Sequence, residues 1–323
     1  MSVFKSKIKN MLLNIDKKID RSMNGSCAVL LYHRATQLES DPQLLSVSPQ
    51  HFDEQLNYLK NNYRVLPIEE FSEILLSKKR FPAKSVVLTF DDGYADNYLE
   101  ALPILEKHQL QALFYISTGT LNTSNEYWWD AVERIVLYGK QPSEKMMLEA
   151  GGVSFDLNGD RHLLYESLLP VLRRLPSETR EQKIKHLAEV FHNNDGRPSH
   201  RAMRWDELKA MHQSASAVIG AHTHLHPSLG KLNVEEQEQE ILRSKSILEQ
   251  QLNCSIEHFS YPFGTKLDFT EDTIRICRKA GFKMVAANFP KFANRKSNPF
   301  AFPRHLVRDW NLEEFKRHLV TFF

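Results

Sequence analysis

Apolar positions fall into two rhythms from Cys27 onward. Short, largely apolar runs of strand length occur at Ala28–Tyr32, Tyr63–Leu66, Ser85–Phe90, Ala112–Ile116, Ala217–Gly220, His258–Tyr261 and Met284–Ala287. Between them, apolar residues recur every three or four positions. Phe52, Leu56 and Leu59 share one helix face within Pro49–Tyr63, and helices are also predicted over Ile68–Leu76, Asn97–His108 and Thr270–Ala280. Gly281 stands where the last of these needs a C-terminal stop. Strand and helix alternating in this way predict a parallel sheet covered by helices. Polar residues gathered at the strand ends predict a barrel with its site at that face.

Two stretches depart from the rhythm. In residues 1–22, Phe4, Ile8, Met11, Leu12, Ile15 and Ile19 make an apolar face opposite Lys5, Lys7, Lys9, Lys17, Lys18 and Arg21. An amphipathic helix over residues 1–24 is therefore expected, lying either on an anionic membrane surface or against the barrel or a second subunit. Residues 25–323 read as one barrel. Within it, residues 120–205 read as a mostly helical insertion between two strands, placed as a lid or rim beside the site. Its helices are predicted at Glu126–Tyr138, Leu163–Arg174 and Glu178–Phe191, with a polar, turn-rich piece at Glu149–Asp160.

Composition narrows the classes open to the chain. Among 323 residues, 42 Lys and Arg stand against 40 Asp and Glu, so the basic excess that a nucleic-acid partner demands is missing. A charged fraction of 25% with 41% hydrophobic residues excludes collagen-like and disordered chains. No apolar run approaches the roughly 18–20 residues of a membrane span. Asn10, Asn14 and Asp16 interrupt the N-terminus before a secretory leader could form. Cys27, Cys254 and Cys277 have neither the number nor the spacing of a disulfide framework or a thiolate metal site. The expected location is the cytoplasm, peripheral at the inner face of the membrane if residues 1–22 bind lipid.

Chemistry-bearing residues stand at the ends of the predicted strands. Thr89-Phe90-Asp91-Asp92-Gly93 puts two adjacent carboxylates directly after an apolar run. Two anions that close repel unless a cation compensates, which suggests that one binds a metal while the other remains a base; Asp-Gly is also ordinary turn chemistry. In Gly220-Ala221-His222-Thr223-His224-Leu225-His226-Pro227, His222 and His226 are four apart and reach one side of a helical turn or tight loop, with His224 pointing elsewhere. Two imidazoles and one carboxylate form a common open site for Zn2+ or a similar ion. Phe259-Ser260-Tyr261-Pro262-Phe263-Gly264 would shape a groove wall, with Tyr261 and Phe263 as flat surfaces for a sugar, or would be a strand-to-helix turn with core aromatics. His33 stands alone at the exit of the first strand.

The set resembles the polysaccharide deacetylase family, also called the NodB-homology or carbohydrate esterase family 4 group. Thr89 to Gly93 is similar to its first motif, His222-Thr223-x-x-His226 to its second and Phe259 to Gly264 to its third, over roughly residues 26–310. The resemblance implies an α/β fold, a distorted, incomplete (β/α)7 barrel. It also implies metal-dependent removal of N-acetyl groups from an amino-sugar glycan. It makes Asp91 the catalytic base and Asp92, His222 and His226 the ligands of a divalent metal, with zinc the expected ion. Leu31-Tyr32-His33 matches the family's Leu-x-His motif at the opposite end of the chain, the permuted order of poly-N-acetylglucosamine deacetylases. That match makes His33 the catalytic acid.

Two departures from the family pattern matter. Ser260 stands where the third motif usually has an Arg that orients the base, and a fourth motif is not recognisable near Ala287–Phe292. Arg304 is the candidate replacement. With Tyr261, Pro262 and Phe263 it completes the residues expected around the substrate, and the Tyr261 backbone N–H is a further candidate for stabilising the oxyanion. An O-acetyl esterase, another non-peptide C–N hydrolase, and a weakly catalytic glycan-binding scaffold are the competing readings. Trp128 and Trp129 favour a sugar or simply fill the core of the insertion.

Overall fold

The computed structural model describes residues 25–323, and the helix expected over residues 1–24 lies outside them. In chain order the strands are β1 (Cys27–Tyr32), β2 (Arg34–Ala35), β3 (Ser46–Val47), β4 (Arg64–Val65), β5 (Ser85–Phe90) and β6 (Ala112–Ile116), then β7 (Met147–Ala150), β8 (Val153–Asp156), β9 (Ala217–Ala221), β10 (His258–Ser260), β11 (Met284–Ala286) and β12 (His305–Leu306). The main sheet runs β11-β10-β9-β6-β5-β1-β12, with β4 paired to the first residues of β5. Every pair in it is parallel, as predicted from the alternation of strand and helix. Both faces of a helix-covered parallel strand are dry, and β1, β5 and β6 are accordingly buried at every position.

Alternation along the strands separates two cores. Ala28, Leu30, Tyr32, Val86, Leu88, Phe90, Ala112 and Phe114 pack outward with helices such as Pro49–Asn62. Cys27, Val29, Val87, Leu113, Tyr115, Met284 and Ala286 form the inner cluster, closed at one end by Phe71, Ile74 and Leu75 of helix Ile68–Leu76. The sheet curls until its ends meet. Phe302 bridges Ala286 in parallel, and three residues later His305 pairs with Leu30. Single-bridge closure of this kind makes a distorted, incomplete (β/α) barrel.

Most predicted elements recur within a residue or two, with two differences of substance. The helix expected from Asn97 begins as a π-turn over Asn97–Ala101, where the Leu102 N–H bonds to Asn97 O, and becomes α-helical only over Leu102–His108. Pro103 follows directly and has no N–H to give to an ordinary helical bond. The turn-rich piece of the insertion is an antiparallel hairpin, β7–β8, reversed by Gly151 and Gly152 with φ of 57° and 77°. Two consecutive left-handed residues make the two-residue hairpin turn that glycine permits. Helices Trp128–Tyr138, Arg161–Leu172 and Ser177–Val190 complete the insertion.

Candidate active site

Alternation carried past β5 points Asp91 to the inner side, in step with Val87 and Thr89. The Asp91 N–H donates to Tyr32 O (3.0 Å), so the strand geometry persists to that residue. Asp92 then adopts φ of 77° and Gly93 φ of 91°. That left-handed turn breaks the alternation and lets the second carboxylate face the same hollow. The turn is pinned where the Asp92 carbonyl accepts from the Ser117 N–H (3.0 Å) and the Tyr127 hydroxyl.

The two carboxylates have opposite surroundings. Arg304 grips Asp91 in a two-pronged pair, Nη1 to Oδ1 and Nη2 to Oδ2, both at 2.7 Å. The same guanidinium donates to Ser260 Oγ (2.7 Å) and to Ala287 O (3.0 Å). Ser260 therefore leaves room for a guanidinium that arrives from elsewhere in the chain. Burial is the largest single influence and would raise Asp91, but the Arg304 charge and hydrogen bonds, with His222 and His33, together outweigh it and hold the carboxyl below its ordinary value. Among the described residues no guanidinium pairs with Asp92. Its Oδ1 is buried, accepts no hydrogen bond among the described residues, and lies 3.5 Å from His222 Nε2 and 3.3 Å from His226 Nε2.

Both histidines sit in the loop after β9. That loop is stitched to the one following β6 by the His222 N–H to Ile116 O (2.9 Å), the Thr118 N–H to Thr223 O (3.2 Å) and the Gly119 N–H to His224 O (2.7 Å). Positive φ at Thr223 and His226 makes it a tight loop, the second of the two shapes allowed by the spacing. His222 Nδ1 meets Ser260 O at 2.8 Å, which fixes the tautomer and leaves Nε2 with its lone pair toward Asp92. Burial pushes His226 down to about 4 against the pull of Asp92, so its imidazole is neutral. His224 turns away to Thr118 Oγ1 (2.9 Å), as expected.

One ligand atom each from Asp92, His222 and His226 lies within 4.8 Å of the others. A carboxylate oxygen without a hydrogen-bond partner among the described residues, facing two imidazole nitrogens, is the donor set of a divalent cation, and these residues fit one. Asp130, Glu133 and His200 approach each other as closely. There, however, Arg197 Nη2 already lies 3.2 Å from Glu133 Oε2, and Arg34 acts on both Asp130 and His200. Guanidinium groups supply the positive charge at that second cluster.

The remaining candidates are placed unequally. His33 is half-buried and near enough for both Asp92 and Asp91 to raise its pKa, although burial lowers it further than they raise it. Phe263, with φ of 60°, stands edge-on to His226 (4.8 Å between centroids) under the Arg173 guanidinium (3.8 Å). Pro262 is buried beside it. Tyr261 is a correction. Its ring is wholly buried, stacks on Phe269 at 4.2 Å and donates its hydroxyl to Phe300 O, so it offers no surface to a sugar. Its backbone N–H is already given to Ala286 O (3.1 Å) and is not free for an oxyanion. Arg304 is likewise beneath the site, against Asp91, rather than on the substrate's side.

Other neighbours had no sign in the sequence beyond the aromatic run Tyr127-Trp128-Trp129. Trp129 lies against His226 (4.6 Å) and stacks on Tyr127 (4.8 Å). Arg173 and Arg180 reach the site from the insertion. A cavity of about 650 Å3 opens beside His226, walled by the insertion helices through Trp128, Ile135, Arg180 and Ile184 and by the loops carrying Gly119 and Leu225.

Barrel and site together define the class, a hydrolase-type (β/α) barrel whose metal-capable triad stands at the C-terminal ends of its strands. The family model for polysaccharide deacetylases matches residues 78–187 and 153–285, and the chain belongs to that family of carbohydrate-active hydrolases. A poly-β-1,6-N-acetyl-D-glucosamine N-deacetylase of Staphylococcus aureus (strain MRSA252) is 23% identical over 266 residues, 82% of this chain and 68% of the relative. The Streptococcus pyogenes deacetylase PplD, solved with acetate, superposes with a TM-score of 0.60 at 20% identity, covering 92% of this chain and 98% of that one. IcaB from Ammonifex degensii gives the same TM-score and identity over 92% and 97%.

Proposed function

We propose that this deacetylase hydrolyses the N-acetyl group of an amino-sugar glycan with the help of a divalent cation. The observation that carries the reading is the division between two adjacent carboxylates, one clamped by Arg304 and one left open toward two imidazoles. Asp92, His222 and His226 would hold that cation, for which zinc suits the donors, and it would supply Lewis-acid chemistry at the acetyl group.

Asp91 serves as the base. Among the described residues its Oδ1 accepts a hydrogen bond only from Arg304 Nη1, which leaves a lone pair for the proton of the attacking water. The C–N bond breaks to give acetate, and His33 delivers the proton that leaves the sugar as a free amine. Arg304 and Ser260 keep Asp91 from rotating, while Phe263, half-buried beside His226, borders the place where the sugar lies.

Acetate release from an N-acetylglucosamine oligomer, assayed with chelator-stripped and metal-restored protein, tests the proposal. Activity is expected only after restoration. Asp91→Asn is expected to lower kcat by about 10²–10⁴-fold with metal content kept, and His222→Ala to lose the metal. Undiminished release from the stripped protein or from Asp91→Asn refutes it. Release confined to O-acetylated substrates would make the enzyme an esterase instead.

The basic face predicted for residues 1–22 suits a lipid-linked glycan at the inner face of the membrane. Deleting Met1–Arg21 is expected to abolish sedimentation with anionic vesicles; unchanged sedimentation removes that part of the reading.

A further inference from the structure

The cavity beside His226 carries polar groups that hydrolysis does not use. Arg180 is 1% exposed. Its Nη2 donates to Leu225 O (3.2 Å), yet Nε and Nη1 are buried with no hydrogen-bond partner among the described residues. Its guanidinium lies over the Trp128 ring at 5.0 Å, and Trp128 Nε1 is likewise buried without a partner. Each of these atoms is a donor, so whatever satisfies them must bring acceptors.

Charge narrows the acceptor further. Glu126, Arg134 and Arg180 are the buried charged residues of the lining. Glu126 is fully engaged, taking Arg134 Nε at 2.7 Å and Arg197 Nε at 2.7 Å. The nearest carboxylate to Arg180 is that of Glu181, exposed and 3.7 Å from Nε, beyond hydrogen-bond distance. Glu178, Lys185 and Asp195 stand at the solvated rim. Burial lowers the pKa of Arg180 more than Glu181 and the more distant Glu240 together raise it, as expected of a buried charge with no closely matched partner.

We propose that Arg180 and Trp128 form an anion subsite, in which a phosphate or carboxylate oxygen carried by the glycan accepts their free N–H groups while its N-acetyl group lies at the Asp92–His226 side. The inference rests on the deacetylation reading and names the class of its substrate: an acidic N-acetylated glycan. Phosphate on the reducing carbon and a neighbouring uronic acid share the required chemistry.

Two measurements test it. The first is KM and kcat for acetate release from N-acetylglucosamine, N-acetylglucosamine 1-phosphate and an N-acetylglucosamine–glucuronic acid disaccharide. The second is calorimetric Kd for the same sugars with the Asp91→Asn protein, which reads binding without turnover. At least one acidic sugar is expected to exceed the neutral one by about tenfold or more, through KM and Kd, with inorganic phosphate competing. Arg180→Gln brings that ratio to near unity, Arg180→Lys keeps part of it, and Trp128→Phe, which retains the ring but not the N–H, lowers it by a smaller factor.

Equal affinity for neutral and acidic sugars in the wild type overturns the proposal, as does an unaltered ratio in Arg180→Gln. Should Arg180→Gln fail to fold, Trp128→Phe and Arg180→Lys decide by the same ratio. Arg180-dependent binding without acetate release would sink the reaction and spare the subsite; acetate release without acid preference would do the reverse.

Discussion

Arg304 carries more of the site than any residue outside the motifs. It meets Asp91 with two bonds across a separation of 213 positions in the chain, and its Nη2 also donates to the Ser260 hydroxyl oxygen. Arg304→Gln is expected to lower kcat by about 10²–10³-fold while metal content stays at the wild-type level; parallel metal analysis separates this outcome from general collapse of the site. Asp91, Asp92, His222 and His226 were legible because each pair is packed into a few consecutive residues at a strand end. Arg304 was legible through a vacancy in the third motif that something had to fill, for which it was the candidate. Tyr261 was misread for a reason the strand itself contains. Ser260 points inward to Asp91, so alternation sends Tyr261 outward onto Phe269.

Among elements, the stitched pair of loops after β6 and β9 determines how firmly the imidazoles are aimed. A methyl group at Gly119 would lie 2.6 Å from His224 O and 2.8 Å from Leu225 Cδ2, too close for the loops to keep their spacing. Gly119→Ala is expected to weaken metal affinity by about 10–100-fold, measured by competition with a chromogenic chelator, with the fold retained by circular dichroism. Periodicity located β1, β4, β5, β6, β9, β10 and β11 and the three insertion helices from their apolar runs and faces, but not β12, whose two residues His305 and Leu306 leave no pattern. Hairpin β7–β8 left too little. Its eight strand residues include Glu149, Ser154 and Asp156, and mainly the Gly151-Gly152 pair distinguished it from a loop. How the insertion docks was not legible at all, since Arg173 over Phe263 and Trp129 against His226 are contacts between distant segments.

At the scale of the molecule, buried charge makes stability depend on pH. Burial raises Asp130 to about 7, with Arg34 and the Tyr94 hydroxyl only partly offsetting it. An unfolded Asp titrates near 4, so between about pH 4 and 7 the folded chain holds a proton that the unfolded chain has released. Stability from this residue is therefore greatest below that window and falls as pH rises through it, by at most about 4 kcal/mol above pH 7. Asp130→Asn is expected to raise Tm over the wild type at pH 8 and to lose that advantage at pH 5, as scanning calorimetry at the two pH values would show. Closure of the barrel has a consequence for folding. Leu30 pairs with His305, so the contact that seals the sheet joins segments far apart in sequence and carries a larger loop-closure cost than the pairing of β1 with β5. Arg304 lies beside that seam, and its grip on Asp91 is therefore set only when the two ends of the sheet come together.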